Sequence, residues 1–262
     1  MADSPLSARS PDVVVSIRVP PRAMAEWSCS LFPGAREAGG AFVPSLRPPR
    51  VYVPGAPAAD PERAALEAAR RARSKLRRYC VANGLNRLGT LTYAGSGNFD
   101  QVLLREHVGD FFRGLRGSLG GTAFPYVWVP EWHKAHGLHV NFAVAQFVPK
   151  QRIDAAWGRG FVHIKLLSDL PVGSGRVEEA RKAAGYLSKY VAKSFEDAKR
   201  ISRRHRYEVA QGFPPVRERL TATSLDDLFH AASDRMGSMP AVRWFSGESP
   251  GWQGPPPFWW QW

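Results

Sequence analysis

Cysteine, acidic side chains and long apolar runs are all scarce in this chain of 262 residues. Its two cysteines, Cys29 and Cys80, form neither a CxxC pair nor a disulfide framework, and we interpret them as free thiols in a reducing compartment rather than a zinc or redox centre. No apolar run approaches the roughly 18 residues of a membrane helix, and the N-terminus lacks the apolar core of a signal peptide. These absences argue against an integral membrane or secreted protein and predict a cytoplasmic one.

Positive charge, in contrast, is abundant. Lysine and arginine number 36 and aspartate and glutamate 23, which leaves a formal net charge of +13. A field of that sign favours a polyanionic partner, most often nucleic acid. Hydrophobic residues make up 44% of the chain. Most of it is therefore expected to fold, as one large domain or two small ones.

Proline and tryptophan divide the chain into three predicted regions. Residues 1–59 are dense in proline and are predicted to form a largely irregular N-terminal arm with one strand at 13–19. Residues 237–262 form a tail that is rich in tryptophan and proline. This tail either packs over the core as a clamp or offers a stacking surface for bases. Residues 60–236 between them are predicted to be the folded, catalytic domain.

The middle region mixes helix and strand patterns without regular alternation. Asp60, Pro61 and Glu62 form a helix start, and this helix is expected to run to about Ala82 with seven basic residues, either as a solvated face or as a phosphate-facing one. Further helices are predicted at 100–119, 151–157, 176–195 and 224–236, and strands at 87–93, 126–131, 138–147, 161–167 and 205–210. This mixture predicts an α+β fold with a central antiparallel sheet and helices packed on one of its faces.

The strand predicted at 138–147 carries ligand-type side chains on one face. Alternation places Leu138 and Val140 on the face towards the helices, and His139 and Asn141 side by side on the other. Glu131, near the end of the neighbouring hairpin strand, is within reach of that second face. An imidazole, an amide oxygen and a carboxylate suit a hard divalent cation such as Mg²⁺ or Mn²⁺. A satisfied core histidine is the structural alternative.

The helix predicted at 176–195 contains the pattern YLSKYVAK. Tyr186 and Tyr190 are four residues apart and share one face, and Lys189 and Lys193 repeat this spacing alongside. A phenol with a pKa of about 10 attacks poorly unless a cation or base stabilises its oxyanion. The lysines can supply such a charge or hold a phosphate. Two core tyrosines above a solvated lysine stripe would produce the same pattern.

Three of these stretches, taken in order, resemble the HUH tyrosine endonucleases, and most closely the rolling-circle replication initiators of small phages and plasmids in their two-tyrosine form. A first strand motif resembles LGTLTY at 88–93, the metal motif looks like HGLHVNFAV at 136–144, and the tyrosine motif is similar to YLSKYVAK at 186–193. The resemblance covers about residues 86–212 and leaves the arm and the tail unmatched. It implies a palm-like sheet of the HUH/RRM type.

The resemblance also implies a metal-dependent DNA endonuclease and strand transferase. A cation, Mg²⁺ or Mn²⁺, bound by Glu131, His139 and Asn141 polarises the scissile phosphate of a single-stranded origin exposed in a hairpin. Tyr186 or Tyr190 attacks the phosphorus, which gives a 5′-phosphotyrosine and a free 3′-OH primer. The two lysines of the same helix steady the phosphate and the phenolate. The second tyrosine serves the next round, in which the strands are rejoined.

Contacts to DNA are expected at two further places. Thr90 and Thr92 share one face of the first strand. A basic run follows the tyrosine helix, either as phosphate contacts that position the strand or as a solvated charge run, and comprises Lys199, Arg200, Arg203, Arg204 and Arg206. Because the sequence has no GxxxxGK[ST] phosphate loop, strand separation is expected to fall to a host helicase and extension of the primer to a host polymerase. No membrane partner is expected.

One position departs from the family's pattern, which has a second histidine where this chain has Asn141. An amide oxygen can bind Mg²⁺, but the substitution could weaken metal binding, shift metal preference or mark an inactive copy. His136 could serve as a substitute ligand. The alternative prediction is therefore an origin-binding protein of the same fold without catalysis. Relaxases, transposases and basic RNA-binding proteins fit the order and number of the motifs less well.

Overall fold

The computed structural model describes residues 15–17, 24–46, 50–52, 58, 60–133, 137–165, 175–196, 205–248 and 256–262. Its strands are β1 (Val15–Ile17), β2 (Glu26–Phe32), β3 (Glu37–Val43), β4 (Arg50–Tyr52), β5 (Arg87–Tyr93), β6 (Tyr126–His133), β7 (Gly137–Val144), β8 (Gly160–Lys165), β9 (Glu208–Val209), β10 (Glu218–Ala222), β11 (Val242–Phe245) and β12 (Pro257–Gln261). Its α-helices are α1 (Pro61–Ala82), α2 (Gln101–Ser118), α3 (Lys150–Trp157), α4 (Arg176–Glu196) and α5 (Leu225–Met236). Short 3₁₀ turns span Pro33–Ala35 and Ser246–Glu248.

Five antiparallel strands in the order β8-β5-β7-β6-β9 form what we call the central sheet. Strand β7 alternates buried apolar residues on one face with His139 and Asn141 on the other, as its sequence period of two predicts. The register places Glu131 of β6 opposite His139, and Thr90 of β5 opposite Asn141. Directly opposed residues of antiparallel strands lie on the same face. The sheet therefore brings these four polar side chains together.

Helices cover both faces of the central sheet, so the predicted one-sided arrangement is wrong. Helices α2 and α3 pack on the apolar face of β7, through Phe111 and Trp157 among others. Helices α1 and α4 pack on the face that carries the four polar residues, through Leu76 and Leu187 among others. Each of the two has an apolar stripe that must be buried, and the stripe of α4 is rich in alanine, which lets it approach α1 closely. The α+β class itself is confirmed.

A second antiparallel sheet, which we call the terminal sheet, has the order β10-β2-β3-β12-β11. Its core lies between one face of the sheet and α5 and contains Leu31, Phe258 and Trp260. The sheet corrects the prediction of an irregular arm and tail, because β2 and β3 lie in the former and β12 in the latter. The strand predicted at 13–19 is present as β1, which pairs with β4. The domain boundaries at 59/60 and 236/237 stay a prediction.

The tail tryptophans differ in their environment. Trp260 and Trp262 are only 4% and 6% exposed, so both are packed residues, as the clamp alternative predicts. Trp244 on β11 is 44% exposed. Trp252 lies outside the described residues.

A buried carboxylate connects the terminal sheet to α1. Glu37 of β3 is 2% exposed, and it accepts hydrogen bonds from Arg77 Nε at 2.7 Å and from Arg78. A carboxylate that loses its hydration needs such partners to remain charged. The same two guanidinium groups lie over the rings of Trp259 and Phe32. Part of the basic character of α1 is therefore structural.

The predicted helices are confirmed with small shifts at their ends. Helix α1 begins after Asp60, whose carboxylate accepts the Arg63 backbone N–H at 2.9 Å. Asp100 and Ser224 cap α2 and α5 in the same way. The last strand predicted at 205–210 is reduced to the two residues of β9. Among the described helices, none combines the length and apolar character needed to cross a bilayer.

Candidate active site

The polar face of the central sheet carries a hydrogen-bonded row of three side chains. The Nδ2 group of Asn141 donates to Glu131 Oε2 at 2.9 Å, and the Asn141 Oδ1 atom accepts from Thr90 Oγ1 at 2.9 Å. Asn141 is 1% exposed, so its amide must be satisfied within the protein. The row fixes the carboxylate of Glu131 beside His139, its partner in the β6–β7 register.

A second histidine, which the sequence analysis missed, joins this group. The rings of His133 and His139 are stacked, with centroids 5.0 Å apart and planes inclined by 16°. His133 follows Glu131 by two positions on β6 and therefore lies on the same face of the sheet. Strand parity could have identified it, once the strand was extended past Glu131. His136, the predicted substitute ligand, lies outside the described residues.

The two tyrosines of α4 lie on this polar face. The helix has Glu178 and Glu179 in its first turn, which favours its N-terminus. Tyr186 and Tyr190 are half-buried and pack against the same cluster as Leu187. The Tyr190 hydroxyl donates a hydrogen bond to the Tyr186 oxygen at 2.7 Å, and the two rings meet edge to face at 5.2 Å. The predicted four-residue spacing thus brings the two phenols into direct contact.

Electrostatics distinguish the two phenols. Loss of hydration raises the pKa of Tyr190 above its ordinary value, and the hydrogen bond to Tyr186 and the charge of Glu131 raise it further. The effect of Glu131 on this pKa means that the helix tyrosines and the sheet carboxylate lie in one site. The ammonium group of Lys165 lies 4.5 Å from the centroid of the Tyr186 ring. Tyr186 therefore has a cation and a hydrogen-bond donor beside it, whereas Tyr190 is held in its neutral form.

The remaining predicted residues fall into three groups. Thr92 shares the polar face with Thr90, and Lys189 is exposed on α4. Lys193 belongs to α4, although its side chain lies outside the part of the chain that is described. The same holds for four members of the basic run, Lys199, Arg200, Arg203 and Arg204. Arg206 is described, and it lies next to the short strand β9.

Strand β8 contributes residues that the sequence analysis did not select. His163 and Lys165 oppose Thr90 and Leu88 of β5, and Phe161 opposes Thr92. All three side chains therefore lie on the polar face, and Phe161 is 70% exposed there. Their alternation along β8 is visible in the sequence, but the neighbour of β8 in the sheet is not. Pairing of β8 with β5 is what places them near the tyrosines.

Divalent-cation binding can be tested against these side chains. Glu131 and His139 offer a carboxylate oxygen and an imidazole nitrogen from directly opposed positions, a donor pair that suits Mg²⁺ or Mn²⁺. Asn141 turns its NH₂ group towards Glu131 and so positions the carboxylate in this arrangement. Within the described ranges, no three His, Cys, Asp or Glu side chains form a group that could hold a metal ion. A third protein ligand would therefore have to be an amide or another oxygen.

Comparison with known proteins places this site within a family match. Residues 86–195 match the family model for the replication-associated protein ORF2 and its relatives. The matched region begins with β5 and ends within α4, so it contains the strand, metal and tyrosine motifs. The match supports a relationship of this region to the rolling-circle replication initiators. Searches among curated proteins and among solved structures found no match.

Proposed function

We propose that this protein initiates rolling-circle replication by nicking single-stranded origin DNA through a tyrosine of α4. The observation that carries the proposal is the contact between the two phenols, Tyr190 and Tyr186, on the face that also bears Glu131 and His139. The family match over residues 86–195 supports the choice of reaction. A tyrosine with a packing role alone has no need of a second phenol, a carboxylate and an imidazole in one place.

The reaction transfers a phosphodiester bond from DNA to the protein. The phenol oxygen forms a bond to phosphorus, and the bond from phosphorus to the 3′ oxygen breaks. The phenol releases its proton to solvent and the departing 3′ oxygen takes one up, so the proton count is unchanged. One phosphodiester replaces another, and no nucleotide is hydrolysed. Attack by a 3′-OH on the phosphotyrosine reverses these steps and rejoins the strand.

Tyr186 is the first nucleophile in this proposal. Its oxygen accepts the hydrogen bond of Tyr190, which would remain when Tyr186 loses its proton. Lys165 lies beside its ring and stabilises negative charge there. Tyr190 serves the second transfer, after its neighbour has been esterified. Lys189 and Lys193, one turn along the same helix, are proposed to hold the phosphate.

A divalent cation bound by Glu131 and His139 would offset the charge that grows on the scissile phosphate. In this proposal the protein's own contribution is positional. Asn141 fixes the carboxylate of Glu131, and Thr90 fixes Asn141. Neighbouring groups that hold a ligand in this way restrict it to one orientation.

The DNA path is proposed to run over β5 and β8. Thr92, His163 and Lys165 provide polar contacts on the face that α4 shares, and Phe161 is an exposed aromatic ring among them. A single strand stacks its bases on such rings and places its phosphates near cations. A hairpin at the origin would present this single strand. A host helicase and a host polymerase would then separate the duplex and extend the 3′-OH.

Covalent capture tests the proposal. A single-stranded origin oligonucleotide labelled on the 3′ side of the nick is incubated with the protein and Mn²⁺ and analysed on a denaturing gel. The proposal expects a labelled protein band that single replacement of Tyr186 by phenylalanine abolishes in the first turnover. Replacement of Tyr190 alone should leave the first adduct. A band that survives the double replacement would exclude these tyrosines.

One observation favours a second candidate, an origin-binding protein without catalysis. Asn141 stands where the family's pattern has a second histidine, and its amide is engaged by Glu131 and Thr90. The variant Asn141→His decides between the candidates. If the natural chain binds the oligonucleotide but forms no adduct with any divalent metal, and Asn141→His forms one, the second candidate is correct.

A further inference from the structure

A groove runs along α1 on the side of β9, away from the tyrosines. It consists of two adjoining cavities of about 780 and 760 Å³, which share Lys75, Tyr207, Val209 and Gln211. One cavity lies between the first half of α1 and residues 205–211, and the other continues towards β2 and β10. We call the pair the α1 groove.

The α1 groove has cations along its rim. Its described basic residues are Arg71, Lys75, Arg78, Arg206 and Arg217. The acidic residue in its lining, Glu208, is bound by Arg105 at 2.9 Å from outside the groove. Arg78 also pairs with Glu37, and Arg71 with Glu67. The lining as a whole still carries an excess of positive charge, and it unites two basic segments that are far apart in the sequence.

The floor of the groove is apolar. Ala65, Ala68 and Ala72 of α1 form one side, and the ring of Tyr207 lies among the lining residues of both cavities. Small side chains on the helix leave the depression open. An apolar floor with a cationic rim suits a ligand that has flat apolar faces and a row of negative charges.

Single-stranded nucleic acid has both properties, whereas a duplex buries its base faces and offers phosphates alone. The groove also lies near the tyrosines. Ala72 belongs to its wall and to the cluster against which Tyr186 and Tyr190 pack, so only α1 separates the two places. We propose that the α1 groove is a second binding site for single-stranded nucleic acid, which anchors the strand that flanks the nick. The choice of DNA and of a flanking strand rests on the proposed function, and the groove itself does not.

The test compares two pairs of exposed basic residues on the same helix. The groove pair is changed as Arg71→Ala/Lys75→Ala, and the control pair, which lies outside the lining, as Arg70→Ala/Arg73→Ala. Binding of a dye-labelled oligothymidylate to the full chain is followed by fluorescence anisotropy without divalent metal. The groove pair should lower affinity about tenfold and reduce the salt slope by about 1.4 for two lost phosphate contacts. The control pair should change affinity less than about threefold, as diffuse charge does.

A third variant tests the floor without a change of charge. Ala68→Leu partly fills the first cavity and should weaken oligothymidylate binding several-fold, with thermal unfolding measured alongside to show that the helix is intact. Equal losses for the groove and control pairs would overturn the proposal, and so would a duplex that competes as well as the single strand. The two proposals fail separately. Loss of adduct formation with intact groove binding would remove the nicking activity only, and the reverse result would remove the groove only.

Discussion

The two five-stranded sheets of this protein are alike in topology and different in what surrounds them. Both are antiparallel, but the central sheet has helices on both faces, and the terminal sheet packs one face on α5. The buried polar group of the central sheet, Asn141, is neutral and hydrogen-bonded to Glu131 within a site that also holds two phenols. The buried polar group of the terminal sheet, Glu37, is neutralised by two arginines.

The comparison indicates which buried polar groups are functional and which are structural. A carboxylate whose oxygens are fully used by guanidinium groups has no capacity left for a ligand. A row of amide, carboxylate and imidazole keeps acceptor capacity, because each bond in it is single. We therefore assign chemistry to the central sheet and support to the terminal sheet. The experiments below test this division.

The largest effect is expected from the tyrosines. The double variant Tyr186→Phe/Tyr190→Phe should lose covalent adduct formation completely, because no phenol oxygen remains to attack phosphorus. Its unfolding midpoint in urea should stay close to that of the natural chain, since the rings and most of their contacts remain. Adduct gels and urea unfolding followed by circular dichroism measure the two quantities. A large loss of stability would instead place the phenol pair among the structural groups.

A converse result is expected for Glu37. The variant Glu37→Gln should lower the free energy of unfolding by about 2 to 4 kcal/mol, because two arginines at the sheet–helix junction lose their charged partner. The control Glu67→Gln removes an exposed carboxylate that pairs with Arg63 and Arg71, and it should change stability by less than about 0.5 kcal/mol. Adduct formation by folded Glu37→Gln should be normal. An adduct defect in the folded variant would contradict the division between the sheets.

A smaller effect on DNA binding is expected from Phe161. Replacement by alanine should weaken binding of a single strand by about 1 to 2 kcal/mol, the contribution of one stacked base. Phe147 is a matched control, since it is 71% exposed against 70% for Phe161 but lies outside the central sheet. Anisotropy titrations of both alanine variants measure the difference. Equal effects would mean that the polar face of β8 does not contact the strand.

The smallest effect concerns the two thiols, one from each region. Burial raises the pKa of Cys29, in the terminal sheet, to about 11, and it raises the pKa of Cys80, in α1, as well. A thiol with a raised pKa is mostly protonated and unreactive at pH 8, so labelling by iodoacetamide requires local opening. We expect Cys29 to be labelled faster than Cys80, because the terminal sheet has a helix on one face only. Mass spectrometry of timed samples measures the ratio, and faster labelling of Cys80 would reverse the expected order of stability.

The sequence predicted the central region well, because its signals are local. Asp60, Asp100 and Ser224 each cap a helix, and the alternation of β7 placed His139 and Asn141 on one face as the register later required. The four-residue spacing of the tyrosines also predicted their contact. Each of these signals depends on neighbours within a turn or a strand.

The rest depended on pairings that local patterns do not contain. The alternation of Trp27, Cys29 and Leu31 with serines is a strand signal, but the prolines on either side dominated the interpretation of the arm. The second helix layer of the central sheet was missed because a charged helix such as α1 was interpreted by its cations, and not by its narrow apolar stripe. Lys165 reached the site through the pairing of β8 with β5, which no spacing in the sequence specifies.

The pairing of β3 with β12 has a consequence for biosynthesis. More than 200 residues separate these neighbours in the chain, so β3 leaves the ribosome long before its partner exists. At about 5 to 20 residues per second, the delay is on the order of 10 to 40 s. During that interval the hairpin of β2 and β3 has an open edge, which can pair with a second nascent chain. The central region, whose strands lie closer together in the sequence, can complete itself first and hold this hairpin through Glu37 until the final strand arrives.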